Sequence, residues 1–282
     1  MLAVALSLIA SLAWGSADFL GGLATRRRAL VAVMLLSQAS GLVALLVFAL
    51  PLAGSVPSLA DLVPAFAAGV VGVLALSLLY LALAIGTMSV VAPIAALGAV
   101  VPVLVSLAGG DALSAGIAVG IVLALGGAAA AASAAPEPGT ERDARRARSI
   151  WLAIGAAVGL GAGLVLFDAA ADSGALWAVL VARGCAVVVM LGALAARPVP
   201  LGLREPGLGQ VALVGVLDAA ALTLFTLASN EGLLAVVSVL SSLYPVVTVV
   251  LARAVLGERM RAVQVTGIAV AFVGIALIAS GS

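Results

Sequence analysis

The sequence predicts an all-α integral membrane protein of ten transmembrane helices, built as two inverted five-helix repeats. Three observations carry that expectation. The chain of 282 residues is 65% hydrophobic and only 9% charged, against about 25% charge in soluble domains. Its apolar residues fall into ten runs, each long enough for the roughly 20 residues that a bilayer core of about 30 Å requires. One polar stretch, near the middle, separates halves that share a pattern.

In chain order the runs cover residues 2–24, 29–50, 62–84, 88–108, 112–133, 150–171, 174–196, 207–228, 232–252 and 262–280. The first opens at Met1 without a basic leader region and ends without a small-residue cleavage site. It therefore reads as a retained span rather than a signal peptide. Turn signals punctuate the rest: "PLAGSVPSLAD" after the second run, "AIGTM" after the third, "GGD" after the fourth, "RPVPLGLREPG" after the seventh and "LGERMR" after the ninth. Residues 134–149, "AAPEPGTERDARRARS", are polar enough for a true linker. They divide a first repeat, 1–133, from a second, 150–282, and are expected to be solvated at the cytoplasmic face.

The charge inventory excludes several chemistries. All thirteen basic side chains are arginine, and the chain has neither lysine nor histidine, so histidine ligands and relays are ruled out. No metal site, cofactor or nucleic-acid partner is expected. The single cysteine, Cys185, stands in an apolar run and reads as a small hydrophobe. Arginine position sets orientation, because cytoplasmic loops retain basic residues. Arg26–Arg28, Arg142–Arg148, Arg197, Arg204, Arg259 and Arg261 all lie in loops after odd-numbered runs, with Arg253 just before one, and the even-numbered loops hold none. Odd loops are thus expected in the cytoplasm and both chain ends outside.

The halves share an ordered pattern. "GAVVPVLVSLAGGDALSAGIAVGIVLALGG" parallels "SSLYPVVTVVLARAVLGERMRAVQVTGIAVAFVG", matching Pro102 with Pro245, Gly110-Asp111 with Gly257-Glu258, Gly120 with Gly267 and Gly127 with Gly274. Five helices per half is an odd number, so the second half enters the membrane from the opposite side. Such pseudo-symmetry is a recurrent construction of alternating-access transporters, with the site at mid-membrane.

Charges within the spans are costly, at about 2.5–3.5 kcal/mol each on insertion scales, and tend to mark function. Asp18, Asp168, Arg183 and Asp218 qualify by depth. Ser11, Gly15, Asp18 and Gly22 share one helix face, which directs Asp18 into the bundle. Desolvation favours a neutral carboxyl and a nearby arginine a charged one; Asp18, caught between them, is the first candidate for proton coupling. The alternatives are an inter-helix hydrogen bond or a pair with Arg183. Asp168, with Asp172 four residues on, is a weaker candidate that approaches the aqueous boundary. Arg183 offers a planar fork of donors for a substrate carboxylate or phosphate, or a structural pair with Asp218 or Asp168. Trp14, Gln38, Tyr80, Ser241, Ser242 and Tyr244 are candidates to complete a pocket, packing being the alternative for each. Pro245 is expected to kink its helix and line a cavity, and Pro93 and Pro102 to do the same in the fourth span. The acidic turns at Asp111 and Glu258 read as structural.

"AWGSADF", Arg183, "SSLYPVVTVVLARAVLGERM" and "QVTGIAVAFVGIALI" together resemble the ten-helix EamA-type transporters of the drug/metabolite transporter superfamily. The resemblance departs at Asp111, where members carry Gly-Glu, and at Gln38, where they often carry arginine. It implies both ends in the cytoplasm, opposite to the arginine count, and it implies export. The expected function is therefore a secondary transporter in the plasma membrane for a small polar or amphipathic, amino-acid-like molecule, driven by protons or exchange. No phosphate-binding loop is present to use ATP. The alternatives are a lipid-linked sugar flippase, which the same resemblance permits, and a non-transport assembly protein. An intramembrane enzyme lacks parts: no histidine or lysine, and in Asp168 and Asp172 too few carboxylates for metal-assisted transfer.

Overall fold

A computed structural model describes residues 1–110, 114–131, 140–171, 174–257 and 261–281. Among these the regular elements are all helical. They are α1 (Leu2–Thr25), α2 (Leu30–Phe48), α3 (Val63–Ile85), α4 (Met88–Ala96), α5 (Val100–Ala108), α6 (Ala115–Ala131), α7 (Thr140–Ala171), α8 (Ala175–Ala196), α9 (Leu208–Ser229), α10 (Leu234–Ser241), α11 (Tyr244–Leu256) and α12 (Ala262–Gly281), with short 3-10 turns at Leu50–Leu52 and Leu97–Ala99. Eight segments of the described residues are long and apolar enough to cross a membrane, counting α4–α5 and α10–α11 as one each. Their outward faces carry large aliphatic side chains, among them Val43, Leu104, Val158 and Val188, each 59% exposed or more. A surface so apolar belongs against hydrocarbon.

Two of the expected spans are broken. Residues 88–108 divide at the Leu97–Ala99 turn, because Pro102 has no N–H to return to the Gly98 carbonyl one turn earlier. Residues 232–252 divide at Ser242 and Leu243, where Pro245 occupies the first turn of α11 and cannot donate to Ser241. Pro93, by contrast, lies inside α4 without ending it. The linker expectation needs a correction. Helix begins at Thr140, well inside residues 134–149, since "TERDARRAR" is rich in the helix formers arginine and alanine. The turn residues Asp111 and Glu258 lie outside the described residues, whereas Gly257 ends α11 with a left-handed φ of 68°.

Packing follows from small residues. α1 lies against α9, α11 and α3; α2 against α8 and α9; α3 against α7 and α8; and α6 pairs with α12. At three of these contacts, and where α7 crosses the Leu97–Ala99 turn and the start of α5, a glycine brings backbones together. Gly15 meets the Tyr244 carbonyl and Val247, Gly161 meets the Gly98 carbonyl and Val101, Gly69 meets Ala182 and Cys185, and Gly215 meets Ser37 and Ser40. Any side chain at these places would overlap its neighbour. Cys185 is half-buried at the α3–α8 contact, less enclosed than its apolar run suggested.

The ends of the first, third and seventh spans gather at one face, joined by arginine. Arg28 donates from Nη1 to the carbonyls of Leu201 (3.3 Å) and Gly202 (3.0 Å), and from Nη2 to those of Glu205 (3.0 Å) and Pro206 (3.1 Å). Its side chain is 6% exposed, and the Glu205 carboxylate stands 3.8 Å away. Arg26 reaches the Leu83 and Gly86 carbonyls at the end of α3, at 3.4 and 3.5 Å. Gln210 adds a bond from α9 to the Leu20 carbonyl of α1, at 2.9 Å.

Because Gly215 has no room for a Cβ, Gly215→Leu should lower stability by about 1–3 kcal/mol through overpacking. Gly192, with open space around it, should accept Gly192→Leu without loss. Thermal melting of the two variants in detergent checks the contrast.

Candidate functional site

Midway along their helices, α1, α2, α8 and α9 each contribute one polar side chain to a single cluster. Arg183 Nη1 donates to Asp218 Oδ2 at 2.6 Å and also to Gln38 Oε1. The indole N–H of Trp14 donates to the other oxygen, Asp218 Oδ1, at 3.0 Å. Asp218 thus accepts from both sides, and the ion pair is well removed from solvent, with side-chain exposures of 4% for Arg183 and 13% for Asp218. In an apolar surround this arrangement satisfies the carboxylate and neutralises the guanidinium together. Trp14 is held in turn by Phe225, with ring centroids 5.9 Å apart.

Asp18 differs from Asp218. One turn beyond Trp14 on α1, it is 4% exposed, yet its carboxyl has no hydrogen-bond or ion-pair partner among the described residues. The groups within electrostatic range of it are Asp218, Tyr80 and Tyr244. Both phenol hydroxyls are buried without partners, as are Arg183 Nε, Ser238 Oγ and Ser241 Oγ.

Next to the cluster opens a cavity enclosing about 850 Å³ of empty space, its open mouth included. Trp14, Asp18, Gln38, Arg183, Asp218 and Tyr244 line one part of it. The remaining wall is apolar, built by α3 and α7 with Val73, Leu76, Leu160, Leu164 and Phe167 prominent. Mostly apolar walls with a few convergent polar groups are the usual make-up of a small-molecule site.

The structure therefore brings most of the sequence candidates together, and Ser11, Gly15, Asp18 and Gly22 are all buried, as their shared face implied. Arg183 is joined to Asp218, the pairing held open beside Asp168 and Asp18. Three candidates stand apart from the cavity wall. Tyr80 packs its ring against Gly21 of α1, Ser241 is buried at the α10 end, and Asp168 is half-buried one residue past Phe167. The Asp172 partner proposed for Asp168 lies outside the described residues. Pro102 and Pro245 are buried behind the cavity and do not line it; the breaks they cause expose Gly98, Ala99 and Ser242 to it instead.

Sequence reasoning missed the apolar half of the wall. Leucine, valine and phenylalanine in a membrane span look like any lipid-facing or packing residue. One signal was available: Gly159, Gly161 and Gly163 form a run of small residues in the sixth span, which marks close helix contact.

Fold and site define a multi-pass helical membrane protein with a polar cluster and cavity at mid-depth. Residues 147–280 match the EamA-like transporter family, which belongs to the drug/metabolite transporter superfamily. A solved structure titled "Crystal structure of protein" superposes with a TM-score of 0.73 at 18% identity, covering 98% of this chain and 96% of the other. At that identity the likeness is one of fold, and it extends through both halves. No curated protein matches the chain by sequence.

Removing one member of the buried pair leaves the other charged in an apolar surround. Arg183→Met alone should cost about 3–5 kcal/mol, and adding Asp218→Leu should recover much of that loss. Unfolding of the single and double variants in mixed micelles reads the difference.

Proposed function

We propose that the protein is a secondary active transporter of the plasma membrane that works by alternating access, exporting a small polar or amphipathic, amino-acid-like molecule in exchange for protons or a second solute. One observation carries this reading: a buried carboxyl without a partner, Asp18, on the wall of a cavity at the mid-depth of a chain whose second half is EamA-like. An ionisable group in that position is costly unless it is used, and export follows from the family resemblance.

The inverted-repeat reading draws support from the glycine contacts. Gly15 with Tyr244 and Val247 is repeated, half a chain away and with the halves exchanged, by Gly161 with Gly98 and Val101. Gly215 with Ser37 and Ser40 is repeated by Gly69 with Ala182 and Cys185. The offset between corresponding residues is 145 or 146, which brings Gly110 and Gly120 to within a residue or two of Gly257 and Gly267. The prolines fall out of register: Val101 and Gly98 take the places of Val247 and Tyr244, which puts Pro102 opposite Thr248 and not Pro245. With α6 and α12 paired on themselves, ten helices in two inverted sets of five account for the whole pattern.

Charge agrees with an orientation in which the arginine face is cytoplasmic. The four even-numbered loops carry Asp61, Asp111, Asp172 and Glu231 and no arginine. Both chain ends then lie outside, and a C-terminal alkaline phosphatase fusion should be active; activity of a cytoplasm-only reporter at that position would reverse the assignment.

The function is tested with proteoliposomes loaded with a mixed metabolite extract, read by mass spectrometry with and without a pH gradient. Selective, gradient-sensitive loss of one compound, absent in Asp18→Asn, is the expected result. Folded protein that releases nothing selectively, while scrambling labelled lipids, would replace this reading with lipid flipping. Inactivity in both assays would leave an assembly role.

A further inference from the structure

We infer that the exposed head of α7 holds an anionic phospholipid of the leaflet on the arginine side, its phosphate on Arg145 and Arg148 and its chains along Trp151 and the aliphatic side chains below. The site lies apart from the cavity, and it stands whether or not the cavity carries cargo.

Length is the first argument. α7 runs for 32 residues, Thr140–Ala171, which is about 48 Å of helix at about 1.5 Å per residue. A hydrocarbon core of about 30 Å takes up about 20 of them. Counted back from Ala171, those residues end at Leu152. Trp151 therefore falls at the hydrocarbon boundary, the depth at which indole rings collect. Arg148 stands one turn further out, and Arg145 another turn beyond it, among the headgroups.

The face of the helix gives a second, independent argument. Arg148, Trp151 and Val158 follow one another at spacings of three and seven residues, which share one side of a helix. Trp151 is 72% exposed and Val158 60%, with Ile154 beside them at 39%. Arg145 and Arg148 are exposed as well. From the headgroups inward this side of α7 runs guanidinium, indole, aliphatic. A phospholipid's own parts come in the matching order: phosphate, glycerol ester, acyl chain.

Charge is the third argument. Neither Arg145 nor Arg148 has a hydrogen-bond or ion-pair partner among the described residues, whereas Arg146 between them is engaged. Residues 140–149 hold four arginines against two acids, Glu141 and Asp143. The end of α1 adds to the positive field: Arg26 donates to the Gly86 carbonyl at 3.5 Å, and Gly86 lies against Ser149 of α7. Two unspent guanidinium forks one turn apart suit the two free oxygens of a phosphodiester. A soluble phosphate would meet the arginines and leave the tryptophan stripe unused. A zwitterionic headgroup brings its own ammonium into the same field.

α7 also carries Leu160, Leu164 and Phe167 of the cavity wall. A lipid held at its head thus fixes the depth of the helix that faces the ligand.

The test is quenching of tryptophan fluorescence in the purified full chain, in mixed micelles, by phospholipids brominated near the carbonyl end of the acyl chain. Phosphatidylglycerol is the probe and phosphatidylcholine with the same chains the comparison. In wild type, half-quenching should come at a concentration of phosphatidylglycerol at least about tenfold lower than of phosphatidylcholine. Trp151→Phe should remove this preference from the signal, and Arg145→Gln with Arg148→Gln should bring phosphatidylglycerol to the phosphatidylcholine level. Arg197 and Arg204 are exposed on the same side, with no aromatic residue in the chain between Trp177 and Arg204. Arg197→Gln with Arg204→Gln should leave the preference intact. Glycerol phosphate, the headgroup without chains, should not displace the lipid. Equal half-points in wild type, a preference that survives Trp151→Phe or the paired change at Arg145 and Arg148, an equal loss in the Arg197 and Arg204 variant, or displacement by glycerol phosphate would each overturn the inference. The two lipids compared on wild type decide the matter even where a variant does not fold.

Discussion

The bilayer gives a buried charge nowhere to go, and the centre of this protein is organised around meeting that constraint for Arg183. A guanidinium cannot shed its proton, so its helix can be buried only where a carboxylate is delivered to it. Asp218 on α9 does this, and α2 and α1 approach closely enough for Gln38 and Trp14 to complete the cluster. Close approach in turn demands small residues where the helices cross, and Gly215 against Ser37 and Ser40 supplies one such crossing. Helix placement, glycine position and the location of the cavity are thus consequences of one pair of charges.

Neutrality at Arg183 is also what distinguishes the two mid-membrane aspartates. Asp218 is committed twice over, by the guanidinium and by the Trp14 indole, and behaves as structure. Asp18, on the same helix as Trp14 and barely a turn away, is left with cavity and two unsatisfied phenols for surroundings. Two carboxylates of similar depth and burial therefore stand in opposite surroundings, and the difference lies wholly in which neighbours the fold supplies.

Much of this was legible in the sequence, and the reasons are physical. Spans are legible because bilayer thickness sets their length, and Asp18, Arg183 and Asp218 because charge in hydrocarbon is rare enough to notice. The breaks at Leu97–Ala99 and Ser242–Leu243 were legible through proline, whose missing N–H acts locally. Partner choice was not: Arg183 had several candidate carboxylates, and only the packing of α8 on α9 selects Asp218. Nor was the apolar wall, since Leu160, Leu164 and Phe167 differ in nothing local from leucines that face lipid. The start of α7 was misread because charged residues can be helical while lying outside the apolar core.

Apart from its ion pair with Glu205, Arg28 holds the connection between α8 and α9 through main-chain oxygens, those of Leu201, Gly202, Glu205 and Pro206. Carbonyls are the same in every amino acid, so the grip depends on the path of that loop and hardly at all on its spelling. Gly202 and Gly207 are exceptions, with left-handed φ of 64° and 94°, and at Gly202 Arg28 Nη1 stands 2.8 Å from where a Cβ would be. Around those two glycines, main-chain contact leaves the junction with the end of α1 largely independent of the loop's other side chains. A residue class that hydropathy treats as a mere marker of sidedness thereby becomes a mechanical fastening, one that tolerates change in everything it fastens.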